Sequence, residues 1–244
     1  MFGSNFKARI IKLEYYTTDS CLCRNDKPRK TTFMCYNTKL TRTAAELQKR
    51  FKAEMVVKDQ YKMNSQISGF DFGKTPIITD SKSDLIQHFN WGLIPSFAQN
   101  EEIRSFTLNA KIETLSEKSS FRESVNKRCL VLVNGFYEWK WHDTKGRNKE
   151  KFLIGLKNEE LFAFAGIYSS WLNPYTNETT NSFSIVTTEA DSLMAEIHNI
   201  KKRMPVVLSR ENERDWLNGM ELGHFVKPEI PLVAISQEPQ TSLF

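Results

Sequence analysis

Hydrophobic and polar positions along the chain predict many short strands and few helices. Apolar or alternating runs bounded by turn residues indicate strands over 75–80, 85–95, 151–156, 161–171, 181–190 and 204–209, and one long buried strand over 128–142. Helices are predicted over 44–55, where Thr43 and Glu46 form a capping box, over 189–198, and over 209–219, closed by Gly219. The pattern predicts an α+β fold in which mainly antiparallel sheets form an open barrel-like core with a few flanking helices.

The composition is that of a globular protein with room for one large core. The chain has 244 residues, of which 40% are hydrophobic and 26% are charged. No run approaches the roughly 18 consecutive apolar residues that a membrane helix requires. The first residues lack the pattern of a secretory signal. We therefore expect a cytoplasmic protein with reduced thiols and no membrane partner.

The first 33 residues differ from the rest in charge. They hold seven Lys/Arg and three Asp/Glu, a net +4, so the other 211 residues carry +1 of the total +5. A body this close to neutral binds nucleic acid through a local basic groove rather than through its overall charge. We expect residues 1–33 to be disordered, either as an extension or propeptide or as a stretch upstream of a true start at Met34, and residues 34–240 to form a single domain.

Cys35, directly after Met34, is the first candidate for chemistry. If Met34 is removed, Cys35 carries a thiol and an α-amine on adjacent carbons. This 1,2-aminothiol condenses with an aldehyde to an imine, which the thiol closes into a thiazolidine. The α-amine has a pKa of about 7.7–8.0, so part of it is the neutral nucleophile at physiological pH. An internal Cys35 would be a structural thiol, and no Cys/His spacing predicts a metal site.

Two other residues are suited to proton transfer. Glu138 lies in the aromatic run GFYEW, where burial would raise its pKa, whereas on an edge strand it would face water. His198 ends a predicted helix, whose dipole favours the protonated ring, and the basic residues 201–203 that follow favour anions. The alternative is a histidine at a helix end beside a solvated basic loop.

A polar row and a basic residue complete the candidates. Asn109, Lys111 and Glu113 would share one side of the segment LNAKIET if it is extended. Arg122 follows Phe121, and a cation beside an aromatic ring is common where nucleic acids are bound. A plain surface arginine is the alternative.

Five ordered blocks resemble the SRAP family, the SOS response-associated peptidase domain. They are MC at 34–35, WGLIPSFA at 91–98, NAKIET at 109–114, GFYEW at 135–139 and HNIKKRMPVVL at 198–208. The resemblance implies a monomer of the DNA damage response that crosslinks covalently to abasic sites in single-stranded DNA and is nucleoid-associated when bound. It implies peptidase and lyase-like chemistry without a metal or organic cofactor, with self-cleavage as one route to exposing Cys35.

The resemblance also implies a role for each matching residue. Cys35 would form the thiazolidine with the ring-opened sugar, and Asn109 would orient the reacting groups. Glu138 and His198 would transfer protons. An apolar wedge against the bases would come from Trp91, Pro95, Trp139 and Met204, and phosphate contacts would come from Lys111, Arg122 and Arg203. The family's MCGR, NAR and HxRMP are MCYN, NAK and HNIKKRMP here, which alters the predicted DNA contacts more than the chemistry.

Two other functions are compatible with the sequence. In a thiol peptidase, Cys35 would be the nucleophile, with His198 as base and Glu138 as the orienting group. Alternatively, the aromatic and basic residues would bind single-stranded or modified DNA without any covalent bond, in a salt-sensitive manner.

Overall fold

Strands dominate the computed structural model, which describes residues 36–227 and 230–237. The strands in these ranges are β1 Asn37–Leu40, β2 Glu54–Met55, β3 Asn64–Ser68, β4 Lys74–Thr79, β5 Lys82–Trp91, β6 Asn109–Lys111, β7 Arg128–Val133, β8 Gly135–Trp141, β9 Lys149–Gly155, β10 Phe162–Leu172, β11 Thr179–Glu189, β12 Arg203–Pro205, β13 Val207–Leu208 and β14 Val233–Ser236. The α-helices in these ranges are α1 Ala44–Phe51, α2 Ser192–Ile197 and α3 Arg210–Leu217. The predicted extension at 1–33 and Cys35 lie outside the described residues.

A five-stranded barrel forms the centre of the fold. Strands β11, β10, β7, β4 and β5 follow one another with antiparallel pairing. The barrel closes where β5 returns to β11 in a short parallel pairing of Asn90 with Ser182 and of Trp91 with Phe183. The predicted α+β fold, with mainly antiparallel sheets around a barrel-like core, is confirmed, and the closing pair makes the barrel closed rather than open.

Both faces of the central barrel strands are buried. Their side chains divide between two apolar clusters, one shared with Leu47 of α1 and Trp216 of α3, the other with Phe136 of β8 and Ile154 of β9. A strand that is covered on both faces reads as a continuous apolar run rather than an alternating one. This explains why β7, with the sequence RCLVLV, is buried at every position.

A second, five-stranded antiparallel sheet has the order β14-β9-β8-β1-β3. The prediction of one strand over 128–142 was wrong, because β7 belongs to the barrel and β8 to this second sheet. The chain changes sheets at Asn134, whose N–H donates to Lys39 O at 3.0 Å and whose Oδ1 accepts from Thr41 N at 2.8 Å. The apolar run continues across this crossing, so the sequence pattern does not show where β7 ends and β8 begins.

The predicted starts of α1 and α3 are confirmed, but α2 begins at Ser192 rather than at residue 189, which still belongs to β11. Thr43 caps α1 in a capping box with Glu46, but the helix ends at Phe51, because Lys52 adopts the left-handed conformation, with φ of 53°. The following residues form β2, which pairs with β5. The prediction that α1 extends to residue 55 was therefore too long. Within the described ranges, no helix is long and apolar enough to cross a membrane.

Gly166 tests how tightly the barrel wall is packed. A Cβ at this position would lie 2.8 Å from Cys129 Sγ and 2.9 Å from Val131 Cγ2. We expect Gly166→Ala to lower the free energy of unfolding by about 1–3 kcal/mol, as overpacking does, and Cys129→Ala in the same chain to restore part of it. Denaturant unfolding measures both effects. Gly73→Ala is the control, since nothing lies within 4 Å of that added Cβ, and an equal loss in the control would contradict the prediction.

Candidate functional site

Glu138 lies in the interior of the second sheet. Strand β8 has β1 on one side and β9 on the other, and Glu138 stands opposite Phe152 of β9. The residue is 4% exposed. The alternative of an edge-strand glutamate facing water is therefore wrong, and a carboxylate is held inside the protein, where it is costly to keep without compensation.

The described chain starts beside this carboxylate. Strand β1 pairs with β8 so that Asn37 faces Tyr137, and continuing the register by one residue puts Tyr36 across from Glu138. Tyr36 is fixed in turn, because its carbonyl accepts from Gly69 N at 2.7 Å and its ring packs against Phe70 with centroids 4.7 Å apart. Residue 36 is thus anchored next to Glu138, and the predicted role of Cys35, which precedes it in the chain, stays a prediction.

His198 is the buried C-cap of α2, as the sequence predicted for a helix end. Its N–H donates to Met194 O at 2.7 Å, and its Nδ1 lies 2.8 Å from Arg203 O. A carbonyl oxygen only accepts, so this contact requires a proton on Nδ1. The hydrogen bond from Nδ1 therefore holds the imidazole in a defined orientation and leaves Nε2 without the proton in the neutral ring.

Two contacts hold the end of α2 against β8. Lys140 Nζ donates to Glu196 Oε1 at 2.6 Å. The Asn199 side chain pairs with the backbone of Trp141, donating to its carbonyl at 2.8 Å and accepting from its N–H at 3.2 Å. The strand that carries Glu138 and the helix end that carries His198 are consequently neighbours.

Asn109 enters from a third element, β6. This strand runs parallel to β11, with Asn109 beside Ile185 and Lys111 beside Thr187. Asn109 is buried and Lys111 is exposed. The predicted extended row was wrong beyond Lys111, because a 3-10 helix over Ile112–Thr114 turns the chain and moves Glu113 out of the alternation.

Glu113 instead forms a two-pronged ion pair with Arg203. The Arg203 guanidinium nitrogens lie 2.7 Å and 2.9 Å from the two carboxylate oxygens, and one also donates to Thr187 O at 2.7 Å. Burial opposes ionisation of Glu113, but the hydrogen bonds and charge of Arg203 outweigh it, so the pKa of Glu113 is lowered. Both terminal nitrogens of Arg203 thus bind protein partners, and its predicted phosphate contact stays a prediction.

Residues from these elements pack together in one apolar cluster. It contains Leu108, which precedes Asn109; Ile197, which precedes His198; Phe136 on β8; and Met204. Three elements distant in sequence therefore place an amide, a carboxylate and an imidazole around one shared core.

The predicted base-contacting wedge is buried to a large extent. Trp91 and Met204 are each 1% exposed, and Trp91 Nε1 donates to Leu108 O at 2.9 Å. Pro95 is buried as well, while Trp139 is half-buried, with Lys151 Nζ 5.7 Å from its ring centroid. In this conformation Trp139 is the member of the four that offers a surface to a ligand. The base contacts predicted for the other three stay predictions.

The sequence interpretation missed two exposed aromatic residues. Phe97 is 50% exposed and Phe106 is 79% exposed, both in the segment that joins β5 to β6 and leads into Asn109. Lys111 and Arg122 are also exposed. Phe97 lies inside the apolar run WGLIPSFA, in which residues 91–95 are buried and residues 96–97 are exposed. Residue type alone does not show this change. Exposed aromatic rings and cations suit stacking with bases and contact with phosphates.

Comparison with known proteins connects this site to a family. A family model described as SOS response associated peptidase (SRAP) matches residues 34–229. The protein named abasic site processing protein YoqW from Bacillus subtilis (strain 168) is 46% identical over 143 residues, which are 58% of this chain and 61% of that protein. The Xenopus tropicalis protein named abasic site processing protein HMCES is 28% identical over 57% of this chain and 47% of its own length. The matches thus span about half to three fifths of these relatives.

Solved structures agree with the fold. A protein from Bacteroides thetaiotaomicron superposes with a TM-score of 0.76 at 37% identity, covering 83% of this chain and 91% of that one. A protein from Bordetella bronchiseptica gives a TM-score of 0.70 at 20% identity, over 83% and 99% of the two chains. The second likeness concerns the fold alone.

The Glu113–Arg203 pair is expected to stabilise the folded protein less as the pH falls. A carboxyl whose pKa in the folded protein lies below its ordinary value of 4.5 contributes stability above that value and loses it as the pH drops through the folded pKa. The difference in unfolding free energy between wild type and Glu113→Gln should be constant from about pH 7 to about pH 5 and shrink below. Glu117→Gln, at an exposed position, is the control. A pH-independent difference would contradict the prediction.

Proposed function

Because this chain belongs to the SRAP family, we propose that it shields abasic sites in single-stranded DNA by a covalent crosslink through Cys35. In this proposal Cys35 is the N-terminal residue of the mature protein, exposed by initiation at Met34 or by removal of the preceding segment, including self-cleavage. The names of the relatives YoqW and HMCES, both abasic site processing proteins, support the choice of substrate.

The observation that carries the proposal is the anchoring of Tyr36 across from the buried Glu138. Cys35 is joined to Tyr36 by one peptide bond, and consecutive Cα atoms are about 3.8 Å apart. The proposal uses this link to bring the α-amine and the thiol of residue 35 within reach of the Glu138 carboxylate. The neighbouring helix end contributes His198, whose orientation is set by Arg203 O.

The reaction needs nothing beyond these groups and the DNA. The neutral α-amine of Cys35 adds to C1′ of the open-chain sugar aldehyde, and the resulting carbinolamine loses water to give an imine. The thiol of Cys35 then adds to the imine carbon and closes the thiazolidine ring, so that one water is released overall. We assign the proton transfers to Glu138 and His198, which protonate the departing hydroxyl and accept the thiol proton.

The exposed residues around the site supply the DNA contacts in this proposal. Lys111 and Arg122 are exposed cations, and Trp139, Phe97 and Phe106 offer aromatic surface. Base–aromatic stacking tolerates any sequence, which suits a protein that recognises a missing base. Since the phosphate contacts are few, affinity for DNA should fall with rising salt through this local surface rather than through the overall charge.

Replacing Cys35 tests the covalent step. Protein expressed from Met34 is incubated with a single-stranded oligonucleotide containing one abasic site, and a heat-stable product is sought on a denaturing gel. Cys35→Ala should abolish the product, because it removes the thiol that closes the ring. Cys129→Ala should keep it, because Cys129 is fully buried and burial raises the pKa of its thiol.

The outcomes separate the three functions. Equal crosslinking by the two cysteine variants would refute the proposal. Salt-sensitive binding without any covalent product would indicate a noncovalent reader, and Cys35-dependent turnover of peptides without crosslinking would indicate a thiol peptidase. The intact mass of the protein establishes whether residue 35 is its N-terminus.

Replacing Glu138 tests the proton transfer. Glu138→Gln preserves the shape of the side chain but cannot exchange a proton, so the rate of crosslink formation should fall by about 10²–10⁴. Glu150→Gln on the neighbouring strand β9 is the control, because Glu150 stands opposite Lys140 and its carboxylate lies 3.1 Å from His142 Nε2. Time courses of both variants that agree within twofold would contradict the assignment.

A further inference from the structure

The turn after His198 is closed by a residue five positions along the chain. Four residues separate His198 from Arg203. The turn is closed twice, because Lys202 N–H donates to His198 O at 2.9 Å and Arg203 O lies 2.8 Å from His198 Nδ1. The last residue of the turn therefore decides which nitrogen of the first residue carries the proton.

The backbone holds Arg203 through a short pairing, in which it lies opposite Glu189 of β11. It begins β12, a strand of three residues that ends in Pro205, and proline has no N–H to donate. The preceding Lys202 has a φ of 49°, in the left-handed region that non-glycine residues rarely occupy. A short strand that follows such a turn needs another anchor to keep one carbonyl aligned with a ring nitrogen.

The side chain of Arg203 provides that anchor. Both terminal nitrogens of its guanidinium bind the carboxylate of Glu113, and one of them also binds Thr187 O. Glu113 follows β6, the strand that carries Asn109. The pair thus connects the turn after His198 to the segment that presents Asn109. A planar two-pronged contact fixes direction as well as distance.

We propose that Glu113 is a positioning residue for His198: by gripping Arg203, it keeps the Arg203 carbonyl on Nδ1 and leaves Nε2 as the nitrogen that accepts and returns protons. In a neutral imidazole with the proton on Nδ1, Nε2 carries the lone pair. Glu113 itself does not touch the reacting atoms. This inference rests on the proposed function for its consequence, but the tautomer is a property of the protein without DNA.

The tautomer can be measured directly. The histidine rings are labelled with ¹⁵N and observed by NMR. The chain has four histidines, and the signals of His198 are those that disappear in His198→Gln. A pH series identifies the spectrum of the neutral ring, and the coupling pattern of that spectrum distinguishes the two tautomers. We expect the Nδ1–H form of His198 in the wild type, and a mixture with the Nε2–H form in Glu113→Gln.

Two further variants keep the test decisive. Arg203→Lys retains the buried charge but loses the two-pronged grip, so it should move the tautomer in the same direction even if Glu113→Gln fails to fold. Glu101→Gln is the matched control, because it breaks the Glu101–Arg104 pair at 3.0 Å, and the arginine side chains of both pairs are 10% exposed. The proposal is overturned if wild-type His198 is the Nε2–H form, or if folded Glu113→Gln and Arg203→Lys keep the wild-type tautomer.

Crosslinking rates separate this inference from the proposed function. Glu113→Gln should slow crosslink formation in the wild-type background and have no further effect in His198→Ala, because its influence passes through His198. An additional loss of rate in the double variant would contradict the positioning role. If the wild type forms no crosslink at all, the proposed function fails, while the tautomer measurement still decides the role of Glu113.

Discussion

Strand β11 is the constraint on which the rest of the structure depends. It pairs with β10 along most of its length, with β5 where the barrel closes, with β6 and with β12. At Thr187 it has Lys111 on one side and Pro205 on the other. Because one strand pairs with both segments, it sets their registers, and the Glu113–Arg203 pair adds a side-chain contact between them. The positions of these site segments are thus set mainly by their pairing with a barrel strand rather than by loops.

The second sheet adds the group that the barrel cannot supply. Its strand β8 places Glu138 between two other strands, where the side chain is removed from water. A sequence chosen for stability alone would put an apolar residue there, and local departures of this kind concentrate at functional sites. The crossing at Asn134 makes the arrangement possible, because it sends one chain from the wall of the barrel directly into the sheet beside it.

The sequence allowed the elements to be predicted better than their arrangement. The capping box at Thr43 and the ends of the later helices depend on neighbouring residues, so they could be inferred from the sequence. The break at Asn134 could not, because both flanking strands are covered on both faces and the apolar run shows no change of period. The burial of the predicted wedge residues could not be inferred from the sequence either. Tryptophan suits both an interior and a binding surface, and only the fold distinguishes Trp91 in the core from Trp139 at the rim.

The ion pair of Arg203 with Glu113 changes how many charges the basic turn 201–203 offers to a ligand. As a sequence it offers three cations, but the charge of Arg203 is balanced by Glu113. The turn therefore presents Lys201 and Lys202 outward, with Lys111 nearby on the end of β6. Burial and the charge of Lys111 both lower the pKa of Lys201, as expected where like charges are held together. A phosphate between Lys201 and Lys111 would relieve the repulsion between their charges. In the proposed function, Lys201 and Lys202 thus join Lys111 and Arg122 as exposed cations for DNA. Arg203 serves instead to orient His198.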